Sequence, residues 1–272
     1  MPRSLIVGSP EHKELFCHFF LETHVAFDPA TVDWPELDED SFKRLHSLPV
    51  WDEAIETECR ATCTIQTWVP FETDPLLREA IALQGYEEAR HAAIIQGLTT
   101  HYGIPVSTPP PPQPPADAEW AFMRLGYSEC FDAFFTFALF AIARDSGFFP
   151  PVLVEKFEPV MQEEARHILF FVNWEAYRQA QSPLWQRPRQ VWRGALGRVL
   201  QVWRRVQTAI GARGDKDFTM KGHQAINMDI TLRGFLELCL AENARRLERY
   251  DARLLRPRLV PGIVQTLCRV LP

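Results

Sequence analysis

The chain has 272 residues and a formal charge of −6, long enough to bury a sizeable core as one large domain or two small ones. The acidic balance speaks against a general nucleic-acid-binding surface. Only 13 Gly stand beside 22 Pro, and long stretches carry helical rather than strand periodicity, which points to an all-α protein.

The first 48 residues read as an N-terminal arm. Ser9-Pro10-Glu11 pairs an N-cap with Pro at the first helical position, and Leu15, Phe16, Phe19 and Phe20 give the following helix an apolar face. Asp28 to Asp40 reads as loop. A first long helix is predicted from near Pro49 to about Trp68. A second opens at Asp74-Pro75 and closes at Tyr102-Gly103. Seven of the eleven residues from Pro105 to Pro115 are proline, so this stretch is expected to run as extended polyproline II. A third helix is predicted over Asp117 to Asp145. The turn Ser146 to Pro151 ends it, and a fourth helix runs from about Val152 to Ala180.

Short links make two antiparallel hairpins. The Pro-rich link, at roughly 3.1 Å per residue, is long enough to recross a full helix. Neither hairpin buries its polar face alone, which favours a single domain over two: residues 49–180 as a four-helix bundle and 181–272 as a helical extension.

The six Cys, at positions 17, 59, 63, 130, 239 and 268, form no CxxC pair. They read as free thiols of a reducing compartment and make no rubredoxin-type iron site or zinc ribbon. No basic start followed by an apolar run is present. The most apolar run, Phe131 to Ala143, contains Asp132 and is too short to span a bilayer. A cytoplasmic protein is the expectation.

The pentapeptide Glu-Glu-Ala-Arg-His occurs twice, at 87–91 and at 163–167. On a helix, Glu88/His91 and Glu164/His167 each put an oxygen and a nitrogen ligand on one face. Each copy needs a further Glu at the same height on the preceding helix. Glu58 (about 15 Å before its helix end) and Glu129 (about 24 Å before its own) satisfy this. Glu56 and Asp132 are their rivals, and the Cys that follows each of Glu58 and Glu129 favours a shared register in the two halves. Four carboxylates balance two divalent ions, and mixed oxygen and nitrogen ligation suits iron or manganese better than zinc. Glu87, Arg90, Glu163 and Arg166 are the candidates for orienting the imidazoles from outside.

The pattern Glu58 … Glu88-x-x-His91 … Glu129 … Glu164-x-x-His167 resembles the metal signature of the ferritin-like di-iron carboxylate superfamily, over about residues 49–180. The resemblance implies a ferritin-like four-helix bundle with one long crossover and two iron ions (manganese or mixed manganese–iron being the variants). It also implies Glu88 and Glu164 as bridging ligands, Glu58 and Glu129 as terminal ones, and one His on each ion. The position that carries a radical-forming Tyr in reductase subunits is Ile95 here. The hydroxylase Thr position is Ala133, and the third His of the N-oxygenases is replaced by Val160.

The residues beyond the fourth helix favour a small organic substrate over simple iron storage. Phe131, Phe134 and Phe135, beside Glu129, are the candidate pocket. A C-terminal helix over about Ala225 to Leu254 is expected to cover the bundle, with His223 and Glu242 read as surface or capping groups rather than ligands. Trp192, Leu196, Val199, Trp203, Val206 and Ile210 form one stripe of an amphipathic helix, within a segment (181–216) that is +7 in a chain whose remainder is −13. Its basic face suits an acidic electron donor or an anionic surface at 187–216, or the acidic remainder of the same protein or of a dimer mate.

The expected function is an O₂- or peroxide-dependent di-iron oxidoreductase acting on a small, largely apolar organic molecule. The alternatives are a ferroxidase or peroxide scavenger, and a helical scaffold with structural or lost metals. No nucleic-acid partner is expected, and a homodimer is the expected assembly.

Overall fold

A computed structural model describes residues 5–108, 110–209 and 230–271. The protein is all-α; among the described residues there is no strand. The helices are α1 (Pro10–Glu22), α2 (Glu39–Ser47), α3 (Trp51–Trp68), α4 (Pro75–His101), α5 (Ala118–Asp145), α6 (Pro151–Glu155), α7 (Glu158–Gln181), α8 (Arg187–Ala209), α9 (Leu232–Glu248) and α10 (Leu259–Val270). Their starts follow local chemistry. Ser9 accepts from the His12 amide and Asp74 from those of Leu76 and Leu77, each followed by Pro at the first helical position.

Two expectations are corrected. The fourth helix breaks after one turn. Residues 156 and 157 separate α6 from α7, because Pro159 lacks the amide that would continue the ladder across them. The end of the Asp28–Asp40 loop and the residues after it form α2, started by Asp38, which accepts from the Ser41 amide and hydroxyl. In the C-terminal helix expected over 225–254, α9 covers Leu232–Glu248. Ile210, Arg213, Lys216 and His223 lie outside the described residues.

The long helices pack pairwise and antiparallel. Gly85 lies against Ile65 while His91 meets Glu58, which runs α4 back along α3. Gly126 lies against Phe171 and Arg178 pairs with Glu119, which runs α7 back along α5. His91 meets Glu163 and His167 meets Glu87, so α4 and α7 are antiparallel as well. It follows that α4 and α5 point the same way, and the Pro-rich link must return the full length. It does so along α3. The Ser107 amide donates to Asp52 near the start of α3, and the Cys63 thiol to the Pro112 carbonyl farther on. About 16 Å of helix between Asp52 and Cys63 matches about 15 Å of polyproline II between Ser107 and Pro112.

The arm is built into the core. On α1, Phe16, Cys17 and Phe20 are fully buried with Ile65, Phe122 and Trp174, and His12 hydrogen-bonds to the buried Asn173 across 3.0 Å. On the opposite side α9 and α10 cover α5 through Phe235, Leu236, Val260 and Val264. Helix α5 is long and apolar enough to cross a membrane by length and composition, but 67% of that stretch is buried in the protein.

Candidate metal centre

Helical spacing sets the site. In each pentapeptide the second Glu and the His project between the helices, while the first Glu and the Arg lie one step around. All eight of these side chains are buried or nearly so. The ligand atoms of Glu58, Glu88, His91 and Glu164 lie within 4.8 Å of one another, and so do those of Glu88, Glu129 and His167. Glu88 belongs to both groups. His167 Nδ1 is 3.1 Å from Glu88 Oε1, His91 Nδ1 is 3.3 Å from Glu164 Oε1, and the two imidazole centroids are 5.6 Å apart. Four helices therefore bring all six ligand candidates together. The rivals stay outside both groups: Glu56 is half-exposed and paired with Arg60 at 2.5 Å, and Asp132 accepts from Ser128 at 2.9 Å. Glu242 pairs with Arg245 and joins neither group. Glu164 joins only the group around His91, so the two halves are not equivalent.

The outer residues of the pentapeptides serve each other. His91 Nε2 donates to Glu163 (2.9 Å), which Arg90 also binds. His167 Nε2 donates to Glu87 (2.8 Å), which Arg166 binds at 2.7 Å. A carboxylate held by Arg only accepts, so each imidazole donates from Nε2 and turns its Nδ1 inward. Those two Nδ1 atoms and Glu88 Oε1 are buried without a hydrogen-bond partner. Two ring nitrogens and a carboxylate oxygen converging on one buried spot are atoms that a divalent cation can take in place of protons. The donor set is compatible with a carboxylate metal site. The third acidic group, His24, Glu87 and Glu163, is instead closed by Arg90 and Arg166.

Charge follows the same division. Burial alone would raise Glu88, yet His167 and His91 beside it pull it down to about 2. Glu87 is likewise held at about 2, against its burial, by His167 and Arg166. Glu58 and Glu129 are pushed well up by burial and by the neighbouring Glu88 charge. Burial opposes protonation of both histidines, but Glu163 and Glu164 raise His91 well above its ordinary value, and Glu88 and Glu87 do the same for His167.

Several contributors were not read from the sequence. His24 donates from Nδ1 to Glu87 at 2.6 Å, and Gln84 donates to Glu129 at 3.2 Å. The Arg166 guanidinium bonds the Phe20 carbonyl and the Thr23 hydroxyl, and Arg90 bonds the carbonyls of Val25 and Phe27. Gln84 stands one turn before Glu88 on the ligand face, a signal that was available. His24 comes from the arm, and nothing local marks it.

A cavity of about 370 Å³ opens between α5, α7, α8 and residues 255–260, lined by Tyr127, Cys130, Phe131, Phe171, Glu175 and Arg198 among others. Phe131 reaches it. Phe134 and Phe135 do not, because their turn of α5 faces α9, where Phe135 stacks on Phe235. None of the six ligand candidates lines the cavity, although Cys130 is the neighbour of Glu129.

Comparison with protein-family models, curated proteins and solved structures found no match. The buried Glu and His groups, compatible with a carboxylate metal site, therefore carry the functional reading without help from a relative.

Proposed function

We propose that the chain is a single-domain, ferritin-like di-iron oxidoreductase. Glu58, Glu88, His91, Glu129, Glu164 and His167 would hold two iron ions (or manganese), and the reaction would use O₂ or peroxide on a small, largely apolar molecule. One observation carries the reading: two imidazoles, each fixed through Nε2, present unpaired Nδ1 atoms to four converging carboxylates. Bound there, iron supplies electrons to O₂ or peroxide and a Lewis-acidic centre for cleaving the O–O bond.

The protein's own part is positioning and proton holding. Glu163 and Glu87 fix the imidazole tautomers, and Arg90 and Arg166 keep those carboxylates charged. Gln84 holds Glu129 in orientation. Glu58 and Glu129, raised by burial beside Glu88, would hold protons that a bound cation would displace. The Glu58 and Glu164 side chains are 20% and 15% exposed while both imidazoles are fully buried, so small reactants approach from the Glu58/Glu164 side.

A metal-handling reading, ferroxidase or peroxide scavenging, draws on a different observation: the cavity is lined by none of the ligand candidates. Anaerobic Fe(II) loading followed by exposure to air separates the two. The oxidoreductase reading expects two Fe per chain and slow turnover of added Fe(II). Rapid, repeated Fe(II) oxidation with release of ferric product would favour metal handling.

A further inference from the structure

Residues 182–209 contain six Arg and no Asp or Glu, and residues 252–272 contain four Arg and again no acid, within a chain of net −6. Helix α8, in the first segment, meets the body through its smallest side chains. A Cβ on Gly197 would lie 2.5 Å from the Tyr127 ring, and one on Gly194 would lie 3.0 Å from the Tyr127 hydroxyl. Gln201 is buried, and Arg193 and Arg198 turn inward to Asp117 and Glu175. That docking leaves Trp192, Val199 and Trp203 outward, and Trp185 is exposed in the turn just ahead of the helix. All four are more than half exposed. On α8, Trp192, Val199 and Trp203 form one stripe about 17 Å long, since 192, 199 and 203 share a face.

The second segment repeats the arrangement. On α10, Val260 and Val264 are buried while Leu259, Ile263, Leu267 and Val270 are 38–74% exposed. Both helices pack on α5, and Arg198 of α8 and Arg258 at the start of α10 line the same cavity, so the two segments are neighbours. Arg189, Arg258 and Arg269 are exposed and pair with no carboxylate among the described residues.

We propose that α8 and α10 seat the protein on an anionic lipid bilayer. An amphipathic helix with Trp and aliphatic residues on one side and only cations beside them lies in the headgroup plane, its apolar stripe at the acyl boundary. Trp belongs at that depth. A protein partner would present fixed charges to be matched one by one, usually of both signs. Segments with charge of a single sign are matched by a field of phosphate headgroups wherever the helix lands. The inference is independent of the metal reading, because none of these exposed residues touches the site.

The test is co-sedimentation of the full-length protein with vesicles of phosphatidylcholine alone and of phosphatidylcholine with phosphatidylglycerol. Binding is expected only with phosphatidylglycerol, to weaken with added salt, and to shift Trp emission to the blue. Arg189→Gln with Arg269→Gln is expected to lower partitioning about fivefold per charge removed. Trp192→Ser with Trp203→Ser should lower it at least tenfold. Helical content and metal content should be unchanged in both variants. Equal binding to both vesicle types, or none, overturns the proposal. So does a stable dimer that the Trp pair dissociates without any lipid binding in the wild type. Capture by a polyglutamate matrix with no vesicle binding would assign the face to an acidic protein instead.

Discussion

His91 and His167 show how a repeated pentapeptide becomes a site. The first Glu of each copy serves the His of the other, so neither half is complete without its mate. Glu87→Gln keeps the volume but weakens the acceptor for His167 Nε2 and leaves Arg166 and His24 facing a neutral amide. The expected outcome is a 10–100-fold fall in metal affinity at unchanged helical content, read by competition with a coloured chelator. A separate constraint sits at Gly126, where an added Cβ would come within van der Waals overlap of several atoms of the buried Phe171 ring. Gly126→Ala should cost about 1–3 kcal/mol in urea unfolding, despite the higher helix propensity of Ala.

Helix ends and helix pairs were legible where their causes are local. Ser9-Pro10, Asp74-Pro75 and Asp117 mark the starts of α1, α4 and α5, and the Pro-rich link was readable as extended chain. The break between α6 and α7 was missed because apolar periodicity continues across it while Pro159 interrupts the backbone ladder. The role of the arm was missed for another reason. His24 reaches Glu87, and Phe20 reaches Arg166, only through tertiary packing. The convergence of the six ligand candidates was legible because the i, i+3 spacing is strict. The placement of Phe134 and Phe135 was not, because the helix that covers them lies about a hundred residues away.

Asp74 joins two such elements. It caps α4 and holds Lys13 of α1 at 2.5 Å, and although partial burial works against its charge, Lys13 and the Leu77 and Leu76 amides keep its carboxyl below the usual range. Asp74→Ala should cost about 1–2 kcal/mol at neutral pH. A lowered folded-state value means the contribution is present above the unfolded value near 4 and is lost as pH falls through the lower folded one. The difference between wild type and variant in denaturant titrations should therefore be constant from pH 5 to 7 and shrink below about pH 4.

Across the whole molecule, charge is sorted by purpose. Acids and imidazoles gather between the long helices, Arg90 and Arg166 tie the arm to them, and the segments of α8 and α10 carry Arg without Asp or Glu. Protons and cations compete for the interior. Because neighbouring carboxylates raise His91 and His167, and burial beside Glu88 raises Glu58 and Glu129, metal uptake should release protons and strengthen as pH rises. The decisive measurement is anaerobic Fe(II) titration of wild type, Glu88→Ala and His167→Ala in weak buffer, with bound iron and released protons counted together. Two ions per wild-type chain, proton release on binding, and failure of both folded variants to hold the pair are expected. Iron that does not bind, or that binds the variants as it binds the wild type, would contradict a metal centre at these residues.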